Sequence, residues 1–492
     1  MTRKIICLLL IIILFVLISC GENTADVEKG GDETQRSDLE NRAVTDPKLQ
    51  YNPNFEPIDM DGYVFTFGTR DNSGVYHGGT PVHTRDLIAE SEIGDLINDA
   101  VYRRNMMLEE KYNCRFEMID YSEDNEQSAN LVVEKAVLAG DKSFDLLMTH
   151  MLYGTTTASK GCFYDIAKFP NIDLSKPYWN DGANEGYSIN NKLYIGLSDL
   201  SFSTTESIYC ILFNKTLVTD FGIEDPYSLV KANRWTFDTF AEVIKNGTVD
   251  VNGDGVFDDK DQYGYISTAA VNFLWSGGGR MMKKDADDIP YIDFLNQRTL
   301  DIYAKTYEIV NSPNSYSKEL SWHTGNTIDM FRQSQGIFYG NQLCRVNELR
   351  DTEFDFGIVP YPKFDSAQER YYSYVDGHAS MMAIPLNLPN PEWTGMLIEE
   401  LSYLSYKDVL PTYYDVVLNV KLIRDEESVE MLEILFGSKV FDPAYVLGGT
   451  FWTMWNDMIS QKKTEFVSTY EATAKSTLTA IQKIIDTFLE LE

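Results

Sequence analysis

Residues 250–265 read DVNGDGVFDDKDQYGY. Side chains with hard oxygen atoms recur at alternate positions, Asp250, Asn252 and Asp254, and return at Asp258, Asp259 and Asp261 around a glycine, Gly255, placed for a sharp turn. A tight loop of this spacing points carboxylates inward and adds one main-chain carbonyl, here that of Val256. That meets the demand of Ca2+ for about six to eight oxygen ligands. The twelfth position, where a bidentate Glu usually closes the site, holds Asp261, so Asp258, Asp259 and Asp261 compete for that role. The plain alternative is an acidic surface turn. A single loop of this kind suits a sensor, a docking module or a structural pin, and the rest of the chain must decide among them.

Aromatic residues form the second chemical feature. Trp275 precedes a glycine run in FLWSGGGRM (273–281), and Trp452 and Trp455 sit three apart in FWTMWNDMI (451–459). Sugars present apolar C–H faces that stack on such rings while their hydroxyls take hydrogen bonds. Helical spacing also favours core packing, so one of Trp452 and Trp455 is expected to serve that purpose. Signatures of catalysis are missing: the sequence has no GxSxG elbow, HExxH pair, GxxxxGKS/T loop or GxGxxG fingerprint. Its five histidines, His77, His83, His150, His323 and His378, are scattered. Among 75 acidic residues a carboxylate pair for glycoside hydrolysis could be found anywhere, and nothing singles one out. A binding role rather than catalysis is expected.

These residues need elements to position them. YVFTFGT (63–69) reads as a strand, and a helix follows with Ile93, Leu96, Ile97, Ala100, Val101, Met107 and Leu108 at a 3.6-residue period. CRFEMI (114–119), a helix from about Ser122 to Gly140 and the strand FDLLM (144–148) come next. This alternation predicts a parallel α/β sheet, in which ligands bind beyond the carboxyl ends of the strands. His150 and Tyr153, in THMLYG (149–154), fall at such an end and are candidates to face a cleft. A second unit begins with SIYCILFNKTL (207–217), a nearly continuous apolar strand, followed by a helix in RWTFDTFAEVIKNG capped by Thr236. The acidic loop leaves that helix and enters the strand YGYIS, with no exit helix to pair with it.

The chain opens MTRKIICLLLIIILFVLISCGEN. Its apolar run from Ile5 to Ile18 is shorter than the roughly 20 residues that span a bilayer, which predicts a cleaved signal over residues 1–19. Leu17-Ile18-Ser19-Cys20 resembles a bacterial lipoprotein box, in which the cysteine, here Cys20, carries the lipid. Residues 20–58 open polar and acidic and read as a tether. Net charge is −33, so nucleic acid is a poor partner. Cys114, Cys162, Cys210 and Cys344 are widely spaced without a CxxC pair, which gives no support to a zinc or redox motif.

KSFDLLMTHMLYG, LFNKTLVTDFGIEDP followed by RWTFDTFAEVIK, FRQSQGIFYGN with DFGIVPYPK, and the late FWTMW resemble, in that order, the family 1 extracellular solute-binding lipoproteins of ABC importers. That family includes maltodextrin and alginate-oligosaccharide binders. The resemblance implies an α/β fold of the two-lobe periplasmic-binding-protein type (type II), with 60–200 plus 378–415 in lobe one and 205–373 plus 416–492 in lobe two. The crossings would lie near 197–207 and 374–380. It implies ligand contacts from His150, Tyr153, Trp275 and Trp452 or Trp455, and Asp376 and His378 on the second crossing join them as candidates. It also implies a structural Ca2+ at Asp250, Asn252, Asp254, Val256, Asp258 and Asp259. The function implied is a lipid-anchored, monomeric extracytoplasmic receptor that hands a carbohydrate, with an oligosaccharide expected, to an ABC permease. A calcium-dependent adhesion lipoprotein and a surface glycosidase are the competing readings.

Overall fold

Asp95 opens a helix by accepting hydrogen bonds from the amides of Ile97 (3.1 Å) and Asn98 (2.9 Å), and Asn113, at φ 48°, closes it after Tyr112. In the computed structural model, which describes residues 46–69, 85–121, 127–317, 327–377, 379–419 and 426–491, this helix covers a sheet. Residues 1–45 with Cys20, together with His77, His83, His323 and His378, lie outside the described residues. The helix buries Ile97, Ala100, Val101, Arg104, Asn105, Leu108 and Tyr112 and leaves the expected Ile93, Leu96 and Met107 exposed. The buried stripe keeps helical spacing but spends two positions on polar residues. Arg104 donates to Ser405 Oγ and to the carbonyl of Leu87, both at 2.8 Å, and Asn105 donates to the same carbonyl.

The strands, in chain order, are β1 Tyr63–Thr69, β2 Cys114–Asp120, β3 Leu146–His150, β4 Tyr209–Asn214, β5 Tyr263–Ser267, β6 Met282–Lys284, β7 Pro290–Ile292, β8 Ser315–Tyr316, β9 Gly336–Gln342, β10 Phe356–Val359, β11 Ser373–Tyr374, β12 Ser380–Ala383 and β13 Lys439–Val440. One sheet has the order β12-β3-β1-β2, with β1 parallel to both β2 and β3 and β12 antiparallel to β3. A second has the order β10-β4-β9-β5-β8 and is mixed. β6 and β7 form a separate hairpin, and β11 pairs with β13. The sheet architecture is thus α/β, as expected, with an antiparallel strand on the first sheet that alternation alone did not announce.

Both faces of the first sheet are covered, as parallel strands require. Phe65, Phe67 and Phe116 pack together with Leu108, Tyr112, Leu146 and Leu401 in one core. Phe144, Leu147 and Met151 belong to a larger core that continues into the second sheet. Tyr51, Phe55 and Ile58, inside the stretch read as tether, pack against the first of these cores. The division of the chain falls instead between Gln50 and Tyr51.

Asn214 ends β4 early, because its side chain caps the helix Lys215–Asp220 by accepting from the amide of Leu217 (3.0 Å). Thr236 caps Phe237–Val243 as expected. The C-terminal helix Phe466–Glu490 begins against Phe294, Tyr303 and Trp455 and ends against Tyr194, whose ring lies 5.3 Å from that of Phe488. It therefore braces residues that follow β5 to residues that follow β3.

Candidate functional site

β3 ends at His150, which is 2 % exposed and caps the helix Met151–Ala158, its Nδ1 accepting from the amide of Leu152 at 3.1 Å. One turn on, the Tyr153 ring lies 5.2 Å from the imidazole. The amide of Met151 donates to the carbonyl of Gly377 (3.3 Å), which brings the end of β3 to the strand segment after β11. Asp376, buried on that segment, accepts from the Tyr209 hydroxyl at 3.2 Å. Gly377 is required here, since a Cβ would fall inside the ring of Tyr445.

Trp275 belongs to the same assembly. Its ring stacks on Tyr374 at 3.9 Å and 12°, and its Nε1 donates to Asp442 Oδ2 at 3.1 Å. Tyr374 also stacks on Tyr209 (5.8 Å) and meets Tyr445 (5.7 Å), and Tyr445 stacks on Trp452 (6.0 Å). A continuous aromatic array thus joins Tyr209 at the start of β4, Tyr374 on β11, Trp275 before the glycine run, and Tyr445 and Trp452 on the late helices. Trp455 lies apart from it. It is fully buried, edge-on to Tyr303 at 5.0 Å and beside Phe466, and it packs the core. Trp275 is equally buried, so its contacts are with Tyr374 and Asp442 in this arrangement.

Asp442 organises one side of the array. It caps the helix Pro443–Gly448 and accepts from the amides of Met281 (2.8 Å), Met282 (3.2 Å) and Ala444 (3.0 Å) as well as from Trp275. Burial pushes its carboxyl above the usual range, against the opposing effect of these donors. Burial also raises the phenols of Tyr209 and Tyr374 well above their ordinary value, helped at Tyr209 by the Asp376 carboxylate. For each of these groups burial disfavours the charged form.

Of the expected site residues, Asp376, Trp275 and Trp452 are joined through Tyr209, Tyr374, Tyr445 and Asp442, which the sequence did not single out, while His150 and Tyr153 approach this assembly through the backbone bond from Met151 to Gly377. Two signals were available: alternation in YYSY (371–374), and the Asp-Pro of FDPAY (441–445), a strong helix-start pair.

The acidic loop lies elsewhere, between the helical turn Ile244–Gly247 and β5. The backbones of Val249 and Gln262 clamp its base with bonds of 3.0 and 3.1 Å. Its side-chain oxygens accept from its own amides: Asp250 takes Gly253 (2.7 Å) and Gly255 (2.9 Å), Asn252 takes Asp254 (2.9 Å), and Asp254 takes Val256 (2.7 Å). Asp261 is fully buried and takes the amides of Val251 (3.0 Å) and Asp258 (2.9 Å), which pulls its carboxyl below the usual range. Asp258 takes Lys260 (2.9 Å), and Asp259 gives its carbonyl to Gln335. Among the described residues no three His, Cys, Asp or Glu side chains are gathered as metal ligands.

No protein-family model matches the chain, and comparison with curated protein sequences finds no match. Solved structures do match. A cyclo/maltodextrin-binding protein complexed with maltotetraose is 13 % identical with a TM-score of 0.55, over 88 % of this chain and 98 % of that one. The GacH receptor of Streptomyces glaucescens, solved unliganded and with acarbose, is 13 % identical with a TM-score of 0.52, over 87 % and 98 %. An ABC transporter solute-binding protein of Thermotoga lettingae, bound with α-D-tagatose, is 13 % identical with a TM-score of 0.53, over 86 % and 100 %. At this identity the likeness establishes the fold, the two-lobe type of the periplasmic binding proteins.

Proposed function

We propose that the chain is an extracytoplasmic receptor that captures a carbohydrate, in particular an oligosaccharide, and delivers it to an ABC import permease. The observation that carries this reading is the aromatic array from Tyr209 through Trp452, set where the start of β4 lies near the end of β3 in a fold shared with sugar-binding proteins. Stacking on rings and hydrogen bonds from His150, Asp376 and Tyr153 would hold a sugar between the two sheet-containing halves. The ligand would touch both halves only when they are closed, and would stabilise that form by its differential affinity. Lobe one would comprise 60–200 plus 378–415 and lobe two 205–373 plus 416–492.

The protein acts as a monomeric binder rather than an enzyme in this reading, held to the membrane by lipid on Cys20. No helix among the described residues is long and apolar enough to cross a membrane. The loop at 250–261 takes a structural Ca2+ through Asp250, Asn252, Asp254, Val256, Asp258, Asp259 and Asp261, supported by its ligand spacing. Binding would require its side chains to turn from their own amides toward a shared ion.

Thermal unfolding across an oligosaccharide panel, with and without a chelator, tests these points together, because a ligand raises the melting temperature by its occupancy of the native state. A saccharide that raises it should also compact the protein in solution scattering. A tight ligand that leaves the scattering unchanged refutes closure. A melting temperature insensitive to chelation in ligand-free protein refutes the calcium site, and loss of fatty-acid labelling in Cys20→Ala tests the anchor.

A further inference from the structure

Tyr374 lies on β11, and Tyr372 and Arg370 come just before that strand, Arg370 in a bend. Tyr374 carries the Trp275 stack, while Tyr372 carries two cations: the guanidinium of Arg280 lies 4.6 Å and that of Arg370 4.9 Å from its ring centre. Two like charges on one ring repel and must be held against that repulsion. Among the described residues no ion pair with a carboxylate is formed by Arg280 or Arg370.

The carboxylate nearest in influence to Arg280 is Asp442, and its two oxygens are already taken by Trp275 and three amides. Among the described residues, Arg280, with five N–H donors, directs a side-chain bond only to the carbonyl of Gly279, at 2.6 Å. A guanidinium held over a ring still has N–H donors in a planar fork, which matches a carboxylate or sulfate in a bidentate pair. Arg370 is exposed and Arg280 and Tyr372 are partly so, which leaves the pair open to a ligand.

We infer that Arg280 and Arg370, ordered on Tyr372 beside the Trp275–Tyr374 stack, form an anion subsite, and that the saccharide captured carries a carboxylate or sulfate group. The inference rests on the receptor reading above and narrows it to acidic saccharides. Burial lowers the Arg280 pKa, and its neighbour Arg370 lowers it further, so an incoming anion relieves an existing cost.

Calorimetry on the full-length protein with trigalacturonate, a sulfated chondroitin disaccharide, neutral maltotriose and inorganic sulfate tests this. The charged saccharide that fits should bind at least about tenfold more tightly than maltotriose, by a margin that shrinks with added salt. Arg280→Gln and Arg370→Gln should each cost the charged probe about tenfold or more. Arg370 is exposed, so its variant reports on the site even where Arg280→Gln fails to fold. Charged probes that bind no better than maltotriose, or that bind both folded variants as they bind the wild type, overturn the subsite and leave the receptor reading standing. Sulfate binding lost in Arg280→Gln, without binding of any saccharide, supports the subsite and removes the receptor reading. Silence from every probe overturns both.

Discussion

Replacing Asp442 by Asn removes no atom from the core, yet the structure makes it costly. Oδ2 accepts from Trp275 Nε1 and the amide of Met281, and Oδ1 accepts from the amides of Met282 and Ala444. Whichever way the new amide turns, its NH2 faces two N–H donors. Two buried donors are then unsatisfied, at about 1–3 kcal/mol each. Neutralising a carboxylate that burial already disfavours returns part of that. The expected net loss is about 2–4 kcal/mol, with Asp442→Ala lower still because the helix Pro443–Gly448 also loses its cap. For a chain of 492 residues that corresponds to a fall of roughly 2–4 °C in melting temperature. Calorimetric or circular-dichroism melts at pH 7 would read it directly. The freed Trp275 ring should also loosen any ligand of the array at temperatures where the protein stays folded. A melting temperature for Asp442→Asn within about 1 °C of wild type would show that these four hydrogen bonds do not hold the site, and the reasoning would fail.

Three further outcomes follow from the packing. Gly377→Ala places a methyl group inside the Tyr445 ring and should cost about 1–3 kcal/mol of stability, partly restored by adding Tyr445→Leu; a neutral Gly377→Ala melt contradicts the close approach. Lys439, beside Thr205, is pushed down to about 8 by burial. Its folded pKa lies below the unfolded one, so its stability contribution is complete above the unfolded value and is lost as pH falls through about 8. Lys439→Met should therefore be more stable than wild type at pH 7, by ~1–3 kcal/mol, with the advantage fading between pH 8 and 10.5, and equal stabilities at pH 7 exclude it. Cys114, Cys162, Cys210 and Cys344 are free and buried, and burial raises the thiols of Cys114 and Cys344 to about 12. A thiol reagent should label none of them before unfolding, and rapid labelling of native protein refutes that burial.

Local signals carried much of the fold. β1, β2 and β5 fall where β-branched and aromatic runs put them, and Thr236 caps the helix its position announced. Where the sequence misled, a polar side chain had a job that composition does not reveal. FDLLM begins its strand two residues late because Asp145 turns its carboxylate to the amide of Thr66 (2.8 Å), and Arg104 sits in a stripe read as apolar because Ser405 and Leu87 satisfy it. The site was legible only in part for a different reason. The end of β3 and Trp275 each carried a local cue, but Tyr374, Tyr445 and Asp442 matter through partners far along the chain, and no spacing rule links them. The acidic loop, the most regular motif in the sequence, lies apart from all of these residues.

β12 completes the first sheet beside β3, yet every strand of the second sheet lies between them in the chain. The first sheet therefore cannot close until the second has been made, and the C-terminal helix that reaches back to Tyr194 arrives later still. Such non-local pairing raises contact order and slows folding. A chain built this way stays open through most of its synthesis, with β3 a bare edge in need of protection until its last partner appears.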